Sequence, residues 1–308
     1  MRLLSILIAA ALLAVGPVAA QEAPDLSARV AAFVQPTNEA RTAVLVEQLR
    51  AAGFEPTVET FTGGARGTGP MEGRNVVVTI GEGEREILLT AHYDAVVLRD
   101  GSLSHGVIDN AASVVALIEA AKALKGKALN HRIRVIFFDQ EELGLIGAYK
   151  WIEAHGLSNV AAVVNSDVAG YGDTLMYGQN NGAQSAALTR AVRELCAERA
   201  MDCVGFPVYP PSDDRAFSGL GLGAAAAVEG HRAPTLSLGF QDHIGAHQMW
   251  LAFNGGQTNG LAEGFVPKVF RVIHSAGDTM DELDPATVAL AGEVYAQLIE
   301  KLDRELAQ

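Results

Sequence analysis

Cysteine is scarce in this chain. Cys196 and Cys203 are the only two in 308 residues. Their spacing is not Cys-x-x-Cys, which excludes the usual thiol-based metal and redox motifs. Basic residues are also few, 23 Lys and Arg against 36 Asp and Glu, for a formal charge of −13. No Lys/Arg stripe runs along the chain, so a nucleic-acid partner is excluded, because phosphate backbones need clustered cations. Beyond the first twenty residues no segment is long and apolar enough to cross a bilayer, and no stable membrane span is expected. Internal repeats and a linker that would split the chain are likewise missing.

The first twenty residues carry a distinct pattern. Arg2 supplies a positive start, residues 3–15 are apolar, and Val18-Ala19-Ala20 places small residues before Gln21. This predicts a secretory signal peptide over 1–20, cut after Ala20, and hence an exported protein, periplasmic or extracellular. No cysteine follows the cut, which argues against a lipid anchor. Residues 21–308 remain for a single domain with a substantial core, since 49% of the chain is hydrophobic and only 19% charged. In an exported protein, Cys196 and Cys203 pair as a disulfide that pins the end of a helix to a loop.

Hydrophobic periodicity places helices over 28–52, interrupted near Pro36-Thr37, and over 111–124, 145–155, 183–199 and 285–306. Short β-branched or apolar runs predict strands over 75–80, 87–90, 133–138, 160–164, 223–228 and 269–273. Residues 230–264, rich in Gly, His, Asn and Gln, read as an irregular lid or specificity loop. Alternating helices and continuous apolar strands predict an α/β fold. It would be a three-layer α-β-α sandwich around a mixed, mostly parallel central sheet. Such sheets bind ligands at the carboxyl ends of their strands.

Metal-type side chains cluster where those strand ends fall. His92 follows one strand, the pair Glu141-Glu142 another, Asp167 a third and His274 a fourth, while Asp109 opens a helix. Two imidazoles with carboxylates between them are the composition of hydrolytic two-metal sites, in which one carboxylate bridges and one Glu stays free as a base. Taken singly, each has a simpler reading: a capped strand end for His92, a helix N-cap for Asp109, a solvated turn for the acidic pair. His243 and His247 have helical metal spacing, but Gly245 between them and no acidic base nearby argue for a substrate-facing loop instead, with His231 in the same stretch.

Five ordered segments carry a resemblance. They are Thr90-Ala91-His92-Tyr93-Asp94, Gly106-Val107-Ile108-Asp109-Asn110-Ala111, Phe138-Asp139-Gln140-Glu141-Glu142-Leu143-Gly144-Leu145-Ile146-Gly147, Asn165-Ser166-Asp167 and His274-Ser275-Ala276-Gly277-Asp278-Thr279. The set resembles the co-catalytic zinc aminopeptidases of metallopeptidase family 28. The resemblance implies two zinc ions, with His92 and Asp167 on one, Glu142 and His274 on the other, and Asp109 bridging. Glu141 becomes the general base, Asp94 orients the His92 ring, and Tyr209 donates a hydrogen bond to the developing oxyanion. Ser113 stands where the family usually has Gly. The implied activity is removal of N-terminal residues from peptides with a free N-terminus. Two competing readings use the same scaffold. A glutaminyl cyclase-like zinc enzyme is disfavoured by Ile273, where cyclases have an aromatic residue, and by the short segment after Glu142. A non-catalytic binding domain would have lost ligands, and none is lost here.

Overall fold

A computed structural model describes residues 25–179, 181–219, 232–256 and 259–307. The expected signal peptide, the expected strand over 223–228 and His231 lie outside the described residues.

Eight strands form one sheet. They are β1 (Thr57–Gly63), β2 (Met71–Ile80), β3 (Glu86–His92), β4 (Arg132–Phe138), β5 (Val160–Ser166), β6 (Thr174–Gly178), β7 (Cys203–Phe206) and β8 (Thr235–Gln241). Their order is β1-β2-β4-β3-β5-β8-β6-β7. The centre is parallel: β4 with β3, β3 with β5, and β5 with β8. Antiparallel pairing joins β1 to β2, β2 to β4 and β6 to β8.

Helices α1 (Leu26–Ala31), α2 (Asn38–Ala51), α3 (Ala112–Leu124), α5 (Ala186–Glu198) and α9 (Pro285–Glu305) bury residues in the larger core. Helices α4 (Ile146–His155) and α6 (Asp214–Ser218) bury theirs in the smaller one. The strands divide their side chains between the two with period two. Ile87, Leu89 and Ala91 of β3 enter the larger core and Leu88 the smaller. Ile133, Val135 and Phe137 of β4 go one way, Ile136 and Phe138 the other. This is the expected layered mixed sheet.

Helix α3 is buried almost all round rather than on one face, because α9 covers the side away from the sheet. Gly292 permits that approach, since a Cβ there would lie 2.9 Å from the Glu119 Cβ. The Ser113 hydroxyl is buried inside this packing with no hydrogen-bond partner.

Three local expectations are corrected. Residues 269–273 are not a strand: α8 (Lys268–Val272) follows Pro267 and buries Val269 and Val272, three apart on one helical face. The stretch 230–264 is not irregular throughout. It holds β8, fully buried beside β5, and α7 (His243–Asn254), capped by Asp242. The disulfide Cys196–Cys203 is present, but it ties α5 to the edge strand β7 rather than to a loop.

Candidate metal centre

The parallel strands β4, β3 and β5 end on the same side of the sheet, and each delivers a metal-type residue there. His92 is the last residue of β3, Asp167 immediately follows β5, and Glu141 and Glu142 occupy the turn between β4 and α4. Asp109 comes from a wide turn, Val107–Ala111, ahead of α3. Ala111, not Asp109, occupies the cap position of α3, so the carboxylate is free of that duty. His274 lies two residues past α8.

The structure brings all six together. Asp109 faces both imidazoles, with Oδ1 3.0 Å from His92 Nε2 and Oδ2 3.1 Å from His274 Nε2. His92 Nε2 is 3.7 Å from Asp167 Oδ1, and His274 Nε2 is 3.1 Å from Glu142 Oε2. Two groups could each hold an ion: His92, Glu141 and Asp167, and Asp109, Glu142 and His274. The first group differs from the expected one, since Glu141 lies as close to His92 and Asp167 as a ligand would.

Electrostatics make this a costly cluster without a cation. Burial raises the Glu141 carboxyl well above the usual range; His92 opposes that, and Asp213, Asp167 and Glu142 add to it. Burial and the Asp109 charge lift Glu142 to about 7. Burial would lower His92, yet Glu141 and the contacts with Asp109, Asp167 and Asp94 raise it overall. Hydrogen bonds to Asp109 and Glu142 push His274 up to about 11. Burial pulls the other way on Asp109, but both imidazoles hold its carboxyl well below the ordinary range. Glu142 Oε1 and Asp167 Oδ1 are buried without hydrogen-bond partners. Orphaned acceptors among imidazoles fit a hard or borderline divalent cation.

Side chains behind the cluster fix its geometry. Asp94 does more than expected. Its carboxylate lies 3.5 Å from His92 Nδ1 and accepts the backbone N–H groups of Glu141 and Glu142 at 3.1 and 3.2 Å. Asp278 clamps the Asp109 turn, accepting from the Ile108 and Asp109 N–H groups at 2.7 and 3.2 Å. Asn110 donates to the Ser166 carbonyl and accepts from the Val168 N–H, so it straddles Asp167. Three non-glycine residues in the left-handed region sit at or beside the cluster: Gln140, Val168 and His274, with φ of 59°, 66° and 54°. Such backbone strain concentrates at functional sites, and for β-branched Val168 it is especially unfavourable.

Sequence reasoning missed Arg41. It is fully buried and donates to the carbonyls of Tyr93, Phe33, His105 and Gly106. Burial lowers it to about 10, against the pull of Asp94, Asp278 and Asp109. It thus sets a fixed cation behind the acidic cluster. One signal was available: Arg41, Leu45 and Leu49 share one face of α2, and all are buried.

Tyr209 is buried and lines a cavity of about 250 Å³ together with Asp109, Glu141, Asp167 and His274. Burial, with Asp167 next, raises its phenol well above the ordinary value. A Cβ on Gly239 would lie 2.7 Å from the Tyr209 hydroxyl and 2.7 Å from the Asp167 carbonyl, so the bare glycine makes room for the phenol. His243 and His247 are elsewhere and exposed: His243 pairs with Asp202 at 2.7 Å, and neither joins a metal-type group among the described residues.

Fold and site together define an α/β protein with a two-histidine, four-carboxylate centre at its strand ends. The model of Peptidase family M28 matches residues 75–299, and the chain belongs to that family. It is 36% identical over 67 residues to Aminopeptidase YwaD of Bacillus subtilis (strain 168), a stretch covering 22% of this chain and 14% of that protein. The chain spans 10% and 14% of the lengths of the curated relatives it matches. Among solved structures, it resembles a Zn-dependent exopeptidase from Parabacteroides distasonis ATCC 8503 with a TM-score of 0.65 and 19% identity. That match covers 89% of this chain and 96% of the other. A Tannerella forsythia glutaminyl cyclase matches equally, with a TM-score of 0.65, 21% identity and the same coverages. These likenesses describe a shared fold.

Proposed function

We propose that the chain is an exported zinc-dependent aminopeptidase that removes N-terminal residues from peptides. The observation that carries the reading is Asp109, whose two oxygens face His92 and His274 separately while Glu141 stands beside them. His92, Asp167, Glu142 and His274 would hold two zinc ions, with Asp109 between them. Bound zinc would polarise the scissile carbonyl and lower the pKa of a water.

The chain's own residues supply the rest. Glu141 takes a proton from the attacking water and returns it to the leaving amine. Tyr209, with a phenol that burial keeps protonated, donates a hydrogen bond to the oxyanion. Asp94 and Asp278 hold the Glu141-Glu142 and Asp109 turns in place. The free α-amine of a substrate would lie near these acidic residues.

Purified protein with its zinc quantified should cleave peptides with a free N-terminus and leave their N-acetylated counterparts intact. Equal cleavage of both would overturn the aminopeptidase reading. Release of ammonia from N-terminal glutaminyl peptides without peptide cleavage would establish cyclisation instead.

A further inference from the structure

Helix α7 carries two exposed histidines one turn apart, His243 and His247. Their ring centres are 4.3 Å apart, with the planes at 42°. Side chains at this spacing share a helix face, and two imidazoles so placed can reach one ion. Gly245 and the want of an acidic partner spoke against such a site in the sequence, and the fold answers both. Gly245 lies within the first turn of α7, where its N–H donates to the cap residue Asp242 at 2.8 Å. The acidic partner comes from elsewhere in the chain: Asp202 Oδ2 is 2.7 Å from His243 Nδ1.

Hydrogen bonds fix where the ring protons sit. The Thr174 hydroxyl also donates to Asp202 Oδ2, at 2.7 Å, and the bonds from His243 and Thr174 hold this carboxyl below its ordinary range. An ionised carboxylate only accepts, so His243 Nδ1 is the donor. His247 Nδ1 is 2.9 Å from the His243 carbonyl, which likewise only accepts. A neutral ring with its proton on Nδ1 has a lone pair on Nε2. Neither Nε2 has a hydrogen-bond partner among the described residues. Metal-bound imidazoles are oriented by a carboxylate or backbone carbonyl at the other ring nitrogen, and here one ring has the first and its neighbour the second.

The support is itself fixed. The Asp202 carbonyl accepts the Leu175 N–H at 3.0 Å, and the next residue, Cys203, is tied to Cys196. Trp250 Nε1 donates to the Gly205 carbonyl at 3.1 Å and so joins α7 to β7.

The geometry points to a transition-metal site on the exposed face of α7, formed by Nε2 of His243 and Nε2 of His247, with water completing the shell and Asp202 orienting the first ring. It shares no residue with the candidate metal centre and stands whatever that centre catalyses. Imidazole nitrogens suit copper, nickel and zinc, with Cu²⁺ bound most tightly, whereas Mg²⁺ and Ca²⁺ require oxygen donors.

The test titrates Cu²⁺ into zinc-loaded protein by calorimetry, follows zinc release in parallel, and records pulsed electron paramagnetic resonance on the product. One copper per chain should bind without release of zinc, and its spectrum should show coupling to imidazole nitrogen. Mg²⁺ and Ca²⁺ should give no binding heat. Asp202→Asn removes the charge behind His243 and should weaken copper binding by about tenfold. His243→Gln and His247→Gln each remove a ligand at an exposed position, where circular dichroism should show the fold intact, and each should weaken binding further. Copper that binds only by displacing zinc, that shows no imidazole coupling, or that keeps its affinity in either histidine variant overturns the site.

Discussion

Replacing Glu141 by Gln separates the base from the ligands. The amide has the size of the carboxylate but cannot accept the proton. The turn should survive, because it is held by backbone groups: the Glu141 N–H donates to Asp94, and the Glu141 carbonyl accepts from the Gly144 and Leu145 N–H groups at 2.8 and 2.9 Å. A positioned acid–base group contributes ~10²–10⁴-fold in rate, equivalent to about 3–5 kcal/mol of barrier. The assay measures kcat and KM on leucyl 4-nitroanilide, with zinc content and circular dichroism taken on the same samples. A folded, fully metallated variant with kcat down about a hundredfold or more and little change in KM is the expected result. Near-normal turnover would refute the base assignment. Loss of one zinc would make Glu141 a ligand, which its place beside His92 and Asp167 permits.

Asp109→Ala removes the carboxylate that faces both imidazoles, so it should lose more zinc than Asp167→Ala in metal analysis. Retention of both ions would end the bridging assignment. Reducing Cys196–Cys203, a closure across a sequence separation of 7, should lower stability by about 2 kcal/mol in the chain-entropy picture and leave kcat unchanged, read by calorimetry and activity on the same sample. In the metal-free protein, Asp139, Glu142 and Asp278 are each raised to about 7, chiefly by burial. A raised carboxyl favours folding while protonated, so their contribution is complete below about pH 4 and is lost as pH rises through 7. The thermal midpoint of the metal-free protein should therefore fall over that window, and Asp139→Asn should flatten the slope. A midpoint that did not respond to this substitution would count against the burial of an ionisable Asp139.

Much of the centre was legible in the sequence because its chemistry is local. His92, Glu141, Glu142 and Asp167 each follow a short apolar run that does form a buried strand, and a strand end has a direction that short segments reveal. The layered sheet was legible for the same reason: β3, β4 and β5 carry the apolar runs Ile87-Leu88-Leu89, Val135-Ile136-Phe137-Phe138 and Val160-Ala161-Ala162-Val163-Val164. Where a segment's identity depends on a distant partner, the local pattern misled. Val269-Phe270-Arg271-Val272-Ile273 has strand-like residues, yet it is helical because Val269 and Val272 bury together after Pro267. Thr235–Gln241 does alternate, with Leu236, Leu238 and Phe240 all entering the larger core, so the strand signal was there and was overlooked inside a stretch rich in Gly, His, Asn and Gln.

Only the tertiary structure decided the supporting roles. Asp94 reaches Glu141 across 47 positions and Asp278 reaches Ile108 across 170, and no spacing rule encodes such contacts. The same holds for Arg41 beneath the cluster. Residue type and strand direction are properties of a short segment, and the sequence alone determined them. Which carboxylate accepts which N–H depends on how the chain closes on itself over the whole sheet, because hydrogen bonds and burial are settled between elements far apart in sequence.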